Sequence, residues 1–123
     1  MLNKLYISIF FVSFLLAKDV IAVSDVDSDD LSESNKALFF SAVETELVNL
    51  GGYDVTTRQE GNIDKIIDEM KFQSTGCTTQ QCAAKLGEIL SADKMLLCGV
   101  TYNDGFFSIN LRVLEVESGK VVA

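Results

Sequence analysis

Residues 95–113 read MLLCGVTYNDGFFSINLRV and predict two strands joined by a tight turn. Met95–Tyr102 is an almost continuous apolar run, as expected of a strand that is largely buried. The Asp104-Gly105 pair is a strong signal for a hairpin turn. After this pair, apolar residues alternate with polar ones, which predicts a strand with one face in water. Leu114 falls in the opposite phase and indicates either a bulge or an element that covers the second face.

The sequence upstream of this hairpin predicts two more strands and three helices. The strands are predicted at Lys18–Ser24 and Tyr53–Arg58, and the helices at Leu31–Leu50, Asn62–Phe72 and Thr78–Leu90. Each helical segment repeats apolar residues at offsets of three and four, as an amphipathic helix does. With a last strand at Lys120–Ala123, the order is β-α-β-α-α-β-β-β. This order predicts one α/β domain with a mixed β-sheet.

Helix ends and buried faces can also be predicted from the pattern. The caps expected for the first helix are Asp29, Asp30 or Ser32 at its start and Gly51 in a left-handed conformation at its end. The side chains expected to be buried are Phe40, Val43, Leu47 and Leu50 in the first helix, Ile63, Ile66, Ile67 and Met70 in the second, and Ala83, Leu86, Ile89 and Leu90 in the third.

Residues 1–17 are predicted to be a signal peptide. Lys4 supplies a positive charge, Leu5–Leu16 is an apolar run, and the small residue Ala17 precedes the expected cleavage point. The run is shorter than the ~20 residues that a transmembrane helix needs. A cut after Ala22, an uncleaved anchor and a buried amino-terminal helix are the alternatives. The mature domain is then expected to span residues 18–123.

The expected location follows from this signal. Because no cysteine lies near the cleavage point, we expect a periplasmic or secreted protein that is not a lipoprotein. No membrane insertion is expected after the signal is removed. The carboxy-terminal strand ends without a polar tail, which predicts that the sequence is a truncated piece of a longer product.

The composition argues against several functional classes. A formal charge of −8 disfavours a nucleic-acid partner, because phosphate binding needs clustered Lys and Arg. The absence of histidine excludes Ser-His-Asp and Cys-His catalysis and imidazole metal sites. Neither a G-x-S-x-G elbow nor a phosphate-binding glycine loop occurs. We therefore predict a protein that is not an enzyme, with no catalytic residues and no cofactor.

Cys77 and Cys82 are predicted to form a structural disulfide. With Thr78 as N-cap and Gln81 completing a capping box, the two cysteines would occupy the positions of a hydrophobic staple, whose side chains touch. Export would supply the oxidising compartment. A zinc site is one alternative, but it needs four ligands and Cys98 is the only further thiol. A redox pair is the other, although C-x-x-C is its usual spacing. Cys98 itself is expected to be a buried, small apolar residue.

The acidic stretch Asp25–Asp30 (DVDSDD) resembles the start of a calcium loop. An EF-hand that began at Asp25 would need glycine at residue 30 and glutamate at residue 36, where the chain has Asp30 and Lys36. We therefore predict no metal site, and expect a solvated loop that caps the following helix. A small metal- or ligand-binding protein that uses this loop is the alternative function.

Five stretches together resemble a periplasmic α/β domain family. It is the domain shared by the curli-secretion CsgG family, the amino-terminal domain of TolB, and LpoB-type activators of penicillin-binding proteins. The stretches are VIAVSDVDSDDLSES (20–34), YDVTTRQE (53–60), IDKIIDEMKFQSTG (63–76), CTTQQCAAKLGEILSADKMLLCGV (77–100) and SINLRVLEVESGKVV (108–122). The most specific elements are Leu86-Gly87 followed by Ala92-Asp93 and a strand with Gly99, together with the turn at Val116–Lys120.

The resemblance implies the location and fold better than an activity, because none of these residues forms a catalytic motif. It implies a soluble periplasmic adaptor in an envelope assembly or transport system. The lipoprotein cysteine and the membrane-inserting hairpins of the curli pore are missing, so pore formation is not expected. We predict a protein-interaction module with envelope protein partners or a homo-oligomer. The strand edges near residues 53–58 or 120–123 are the predicted contact sites.

Overall fold

The computed structural model describes residues 18–70 and 77–123. The predicted signal peptide (1–17) and the predicted end of the second helix (71–72) lie outside the described residues. The elements in the described part are β1 (Val20–Asp27), α1 (Glu33–Leu50), β2 (Asp54–Val55), α2 (Ile63–Met70), α3 (Gln80–Leu90), β3 (Lys94–Asn103), β4 (Phe106–Glu115) and β5 (Lys120–Val121). Their order confirms the prediction. Within these residues no helix is long and apolar enough to cross a bilayer.

The strands form one mixed sheet in the order β2-β1-β3-β4-β5. β1 is parallel to both β2 and β3, whereas β4 is antiparallel to β3 and to β5. Parallel neighbours need a long crossover. The chain supplies one with α1, between β1 and β2, and another with α2 and α3, between β2 and β3. The predicted α/β domain with a mixed sheet is therefore confirmed.

Helices cover both faces of the sheet. On one face, α1 buries Phe40 and Leu47 against Ile21, Val23 and the middle of β3. On the other face, α2 and α3 pack on alternating residues of the same strands. The buried residues of this second cluster are Ala22, Ile63, Cys77, Cys82, Ala83, Leu86, Ala92, Met95, Leu97 and Leu114. β1 and β3 are continuous apolar runs because both of their faces are covered.

The two caps of α1, Ser32 and Gly51, were both among the predicted candidates. The buried face of this helix is shorter than predicted. The Ser32 hydroxyl accepts a hydrogen bond from the Asn35 N–H at 3.2 Å, and Gly51 ends the helix with φ of 72°. Leu50, which was expected to be buried, is 76% exposed. The contact with the sheet ends at Leu47, and Leu50 is the last helical residue before the chain turns through Gly51.

In α3 the predicted inward position of Ile89 is wrong. Leu86 faces the sheet as predicted and Gly87 lies beside it, whereas Ile89 is exposed. A Cβ atom on Gly87 would lie 2.5 Å from Val116 Cγ2 and 3.0 Å from Met95 Cγ. The missing side chain therefore lets α3 lie close to the sheet, and the face centred on Gly87 points away from Ile89.

The first strand was predicted to end at Ser24, before the acidic stretch, but β1 includes the first residues of that stretch. The strand continues to Asp27 across an irregularity in its pairing with β3, between Val23 and Val26. At this bulge Ser24 is buried, and its hydroxyl donates a hydrogen bond to the Leu96 carbonyl at 3.3 Å. A bulge changes the direction of the neighbouring side chains. It turns Asp25 out of the ladder and towards residues that are distant in sequence.

Candidate functional site

The predicted hairpin is present and regular. β3 and β4 pair without interruption from Lys94 with Glu115 to Asn103 with Phe106. The two turn residues have positive φ, 52° at Asp104 and 84° at Gly105. This is the backbone of a type I′ turn, which the Asp-Gly pair favours. Since the register has no shift, the bulge predicted as one explanation for Leu114 does not occur in β4.

The outer half of the hairpin extends beyond the body of the domain. β1 pairs with β3 only as far as Gly99, which lies opposite Asp27. Every residue from 101 to 112 is exposed. On the β1 side, the Tyr102 N–H is bound by the Asp30 carboxylate at 2.8 Å. One edge of this extension is therefore capped by a charged side chain.

An exposed apolar row lies on one face of the extension. It consists of Tyr102, Phe107, Ile109 and Leu111, and each of these side chains is more than half exposed. The rings of Tyr102 and Phe107 are in contact, with centroids 4.9 Å apart. The predicted alternation in β4 is present. The face that was expected to pack in the core instead contacts solvent over most of its length, because among the described residues no helix covers it.

The opposite phase of Leu114 now has an explanation. Leu114 is fully buried and belongs to the cluster beneath α2 and α3, whereas Val113 belongs to the cluster beneath α1. β4 is thus covered on both faces only at its end. The second option predicted from the sequence, a covering element, is confirmed.

The outer edge of β4 carries backbone groups without a partner in the described residues. Val113 donates its N–H to the Ala123 carbonyl at 2.9 Å, and its carbonyl accepts from the Val122 N–H at 2.8 Å. Successive residues of a strand direct these groups to opposite sides. Phe107, Ile109 and Leu111 are in phase with Val113, so their N–H and C=O groups point outward. We call the outward N–H and C=O groups of these three residues the free edge.

The predicted contact sites include the two outermost strands of the sheet. β2 and β5 are indeed the outermost strands, but each has two residues. β5 covers Leu114 and Glu115 and leaves the earlier part of β4 open.

A cluster of charged side chains lies near the carboxyl ends of β1 and β2. The Asp25 carboxylate accepts hydrogen bonds from the Cys77 N–H, at 2.7 Å, and from the Arg58 guanidinium. Arg58 also pairs with Asp64, and its guanidinium lies 4.3 Å from the centre of the Phe40 ring. A groove of about 760 Å³ lies beside this cluster. Because two carboxylates neutralise Arg58, we assign the cluster a role in holding the domain together.

The acidic loop does not converge on one point. Asp25 binds Arg58, whereas Asp30 binds the Tyr102 N–H. The Ser28 hydroxyl accepts hydrogen bonds from the N–H groups of Asp30 and Leu31, both at 3.2 Å. In residues 18–70 and 77–123 no three His, Cys, Asp or Glu side chains are grouped as a metal ion would require. The hydrogen bonds of Ser28 therefore stabilise the backbone of the loop itself. The N-cap of α1 is Ser32 rather than Asp29 or Asp30.

Cys77 and Cys82 are joined by a disulfide in the structure, with their Cα atoms 5.5 Å apart. The predicted capping box and staple positions are wrong, because the helix begins one residue later and Cys82, rather than Gln81, occupies its third position. The N-cap of α3 is Thr79, whose hydroxyl accepts a hydrogen bond from the Cys82 N–H at 3.1 Å. Cys77 thus lies two residues before the cap, and its side chain is buried beside α3. Cys98 is free and buried, and burial raises the pKa of its thiol to about 11.

Thiol labelling tests these assignments. Without reductant, the native protein should take up no iodoacetamide at neutral pH, because Cys98 is buried and protonated. After denaturation it should take up one label, and after reduction three. Intact mass spectrometry counts the labels. Three labels on denatured but unreduced protein would show that Cys77 and Cys82 are free thiols.

Comparison with known proteins identifies the fold. No protein-family model matches the sequence, and no curated protein matches it. Among solved structures, LpoB from Escherichia coli, determined by NMR, has a TM-score of 0.70 and 17% identity over 87% of this chain and 54% of that one. This chain thus spans about half of that LpoB chain.

Two other structures agree. The LpoB carboxy-terminal domain from Escherichia coli has a TM-score of 0.69 and 17% identity, covering 92% of this chain and 87% of the domain. A Neisseria meningitidis lipoprotein, GNA1162, has a TM-score of 0.64 and 15% identity over 85% of this chain and 75% of that one. The fold part of the predicted resemblance is thereby confirmed for LpoB. The chain has the α/β fold of the LpoB carboxy-terminal domain.

Proposed function

We propose that this protein is an exported, non-enzymatic component of the cell envelope that binds protein chains through the outer half of β4. The observation that carries the proposal is the coincidence of the apolar row with the free edge. Phe107, Ile109 and Leu111 contribute to both, since their side chains are exposed and their backbone groups point outward. A partner strand would satisfy the backbone groups and cover the side chains together.

This combination is typical of strand addition. In that mode the backbone hydrogen bonds supply affinity, and alternate side chains supply specificity. An exposed apolar edge is also a liability, which monomeric proteins usually reduce with lysine, proline or a bulge. Residues 106–111 contain no charge and no proline, and the pairing of β4 with β3 is regular. An uncharged, regular edge of this kind is expected of a surface that a partner strand covers in the functional complex.

The envelope location is supported by two observations of different kinds. The first is the predicted signal peptide at residues 1–17. The second is the fold, which is shared with LpoB and with a protein described as a lipoprotein. The non-enzymatic part is supported by the absence of histidine and of nucleophile or phosphate-binding motifs. We also propose that the protein is related to curli-secretion or TolB-type components of the envelope.

Site-specific photocrosslinking in intact cells tests the proposal. A photoreactive side chain is placed at Ile109 or, as a control, at Val48 on α1, which has a similar exposed fraction (56% and 53%). After irradiation, mass spectrometry should find an adduct between residue 109 and a protein chain in the envelope fraction. Residue 48 should give none. Recovery of the protein in the cytosol, or equal adducts at both positions, would overturn the proposal.

A further inference from the structure

We infer that the chain bound at the free edge is a second copy of this protein. The two β4 strands pair antiparallel about a two-fold axis that passes beside Ile109, so that the two sheets become continuous. This inference rests on the proposed function and names its partner. It is carried by two properties of residues 106–112: their outward backbone groups and their side-chain sequence.

The backbone groups match under two-fold symmetry. With Ile109 opposite its own copy, Phe107 of each chain faces Leu111 of the other. All these residues direct N–H and C=O outward, so each facing pair exchanges two hydrogen bonds. A shift by one residue would set outward groups against inward ones. The alternation of outward and inward backbone groups therefore permits this register and excludes the two registers that are shifted by one residue.

The side chains also match. On the face of the apolar row, Phe107 lies opposite Leu111 and Ile109 opposite Ile109, so apolar side chains meet across the new pair of strands. On the other face, Ser108 lies opposite Asn110. At the ends, Phe106 lies opposite Arg112, a pairing that allows a cation–π contact. No carboxylate occurs in residues 106–112, so the seam avoids like-charge contacts although the chain carries a charge of −8.

The two-fold register pairs residues 106–112, which begin directly after the hairpin turn, with residue 106 opposite residue 112. On the other side of the hairpin the Asp30 carboxylate already holds the Tyr102 N–H. The sheet can therefore extend on the β4 side.

Sedimentation of the purified exported protein tests the dimer. The wild type should sediment as a dimer, and Ile109→Lys should sediment as a monomer, because it places two ammonium groups at the axis. Val48→Lys is the matched control, since it makes the same charge change at a similarly exposed residue. It should remain a dimer. Circular dichroism on all three proteins separates loss of the interface from loss of the fold.

Cysteine crosslinking tests the register. Ile109→Cys should form a disulfide with its copy, because facing Cα atoms lie about 5.5 Å apart, within the range that a disulfide spans. Phe107→Cys alone should not, since the two copies of residue 107 are separated by four residue steps, or about 13 Å. Combining Phe107→Cys with Leu111→Cys should restore crosslinking.

The failures of the two proposals can be told apart. A wild-type monomer, or a dimer that survives Ile109→Lys, overturns the inferred self-association. If residue 109 then crosslinks to a different envelope chain in cells, the proposed function stands without the dimer. A protein found in the cytosol that dimerises through residue 109 has the inferred interface but not the proposed envelope function.

Discussion

Leu114→Ala should lower the free energy of unfolding by about 2–5 kcal/mol, the usual cost of removing a large buried side chain. Leu114 is fully buried and contacts the core beneath α2 and α3. The cost includes a cavity term, because the helices and the sheet that surround Leu114 cannot fully close the space. Urea denaturation followed by circular dichroism measures the change.

Leu111→Ala is the matched control on the same strand. Leu111 is half exposed and lies on the other face of β4, so its truncation should change the stability of the monomer by no more than about 0.5 kcal/mol. Measuring both variants in the Ile109→Lys background removes any contribution of self-association. Equal losses in the two variants would contradict the assignment of Leu114 to the core and of Leu111 to the surface.

Asp25→Ala is expected to have the second largest effect, about 2 kcal/mol of destabilisation. Asp25 accepts the Cys77 N–H and pairs with Arg58, and its side chain is 22% exposed. Its backbone N–H also donates to the Cys77 carbonyl at 3.0 Å. Removing the carboxylate leaves the Cys77 N–H without this acceptor and reduces the neutralisation of Arg58. The comparison is made by urea denaturation under non-reducing conditions.

Asp64→Ala provides the control for this prediction. Asp64 pairs with the same guanidinium, but its side chain is 74% exposed. Exposed ion pairs contribute little, so the loss should stay below about 1 kcal/mol. If Asp64→Ala costs as much as Asp25→Ala, the bulge of β1 does not have the structural role assigned to it.

The order of the elements could be predicted because the patterns that define it are local. The alternation after Asp104-Gly105, the helical spacing around Ile63 and the glycine after Leu50 each depend on a few neighbouring residues. Which faces of these elements are buried by packing could not be predicted in the same way. Leu111 and Leu50 have the sequence context of core residues, but their exposure depends on where α1 crosses the sheet, and that is set by packing at a distance.

The same limit applies to the sites. Arg58 and Cys77 meet Asp25 across 33 and 52 residues of sequence, at a bulge that the sequence pattern does not reveal. The acidic stretch was therefore expected to be a solvated loop, whereas its first carboxylate holds three segments together. The predicted contact sites were the strand edges near residues 53–58 or 120–123, whereas the free edge lies on β4.

Amide hydrogen exchange along β4, measured by NMR, tests the central claim most directly. In Ile109→Lys, Phe107 and Leu111 should exchange rapidly, whereas Ser108 and Asn110 should be protected by their bonds to β3. In the wild type, at concentrations where it sediments as a dimer, Phe107 and Leu111 should become as slow as their neighbours. Rapid exchange at both residues in the wild-type dimer would contradict the claim that this edge is the binding surface.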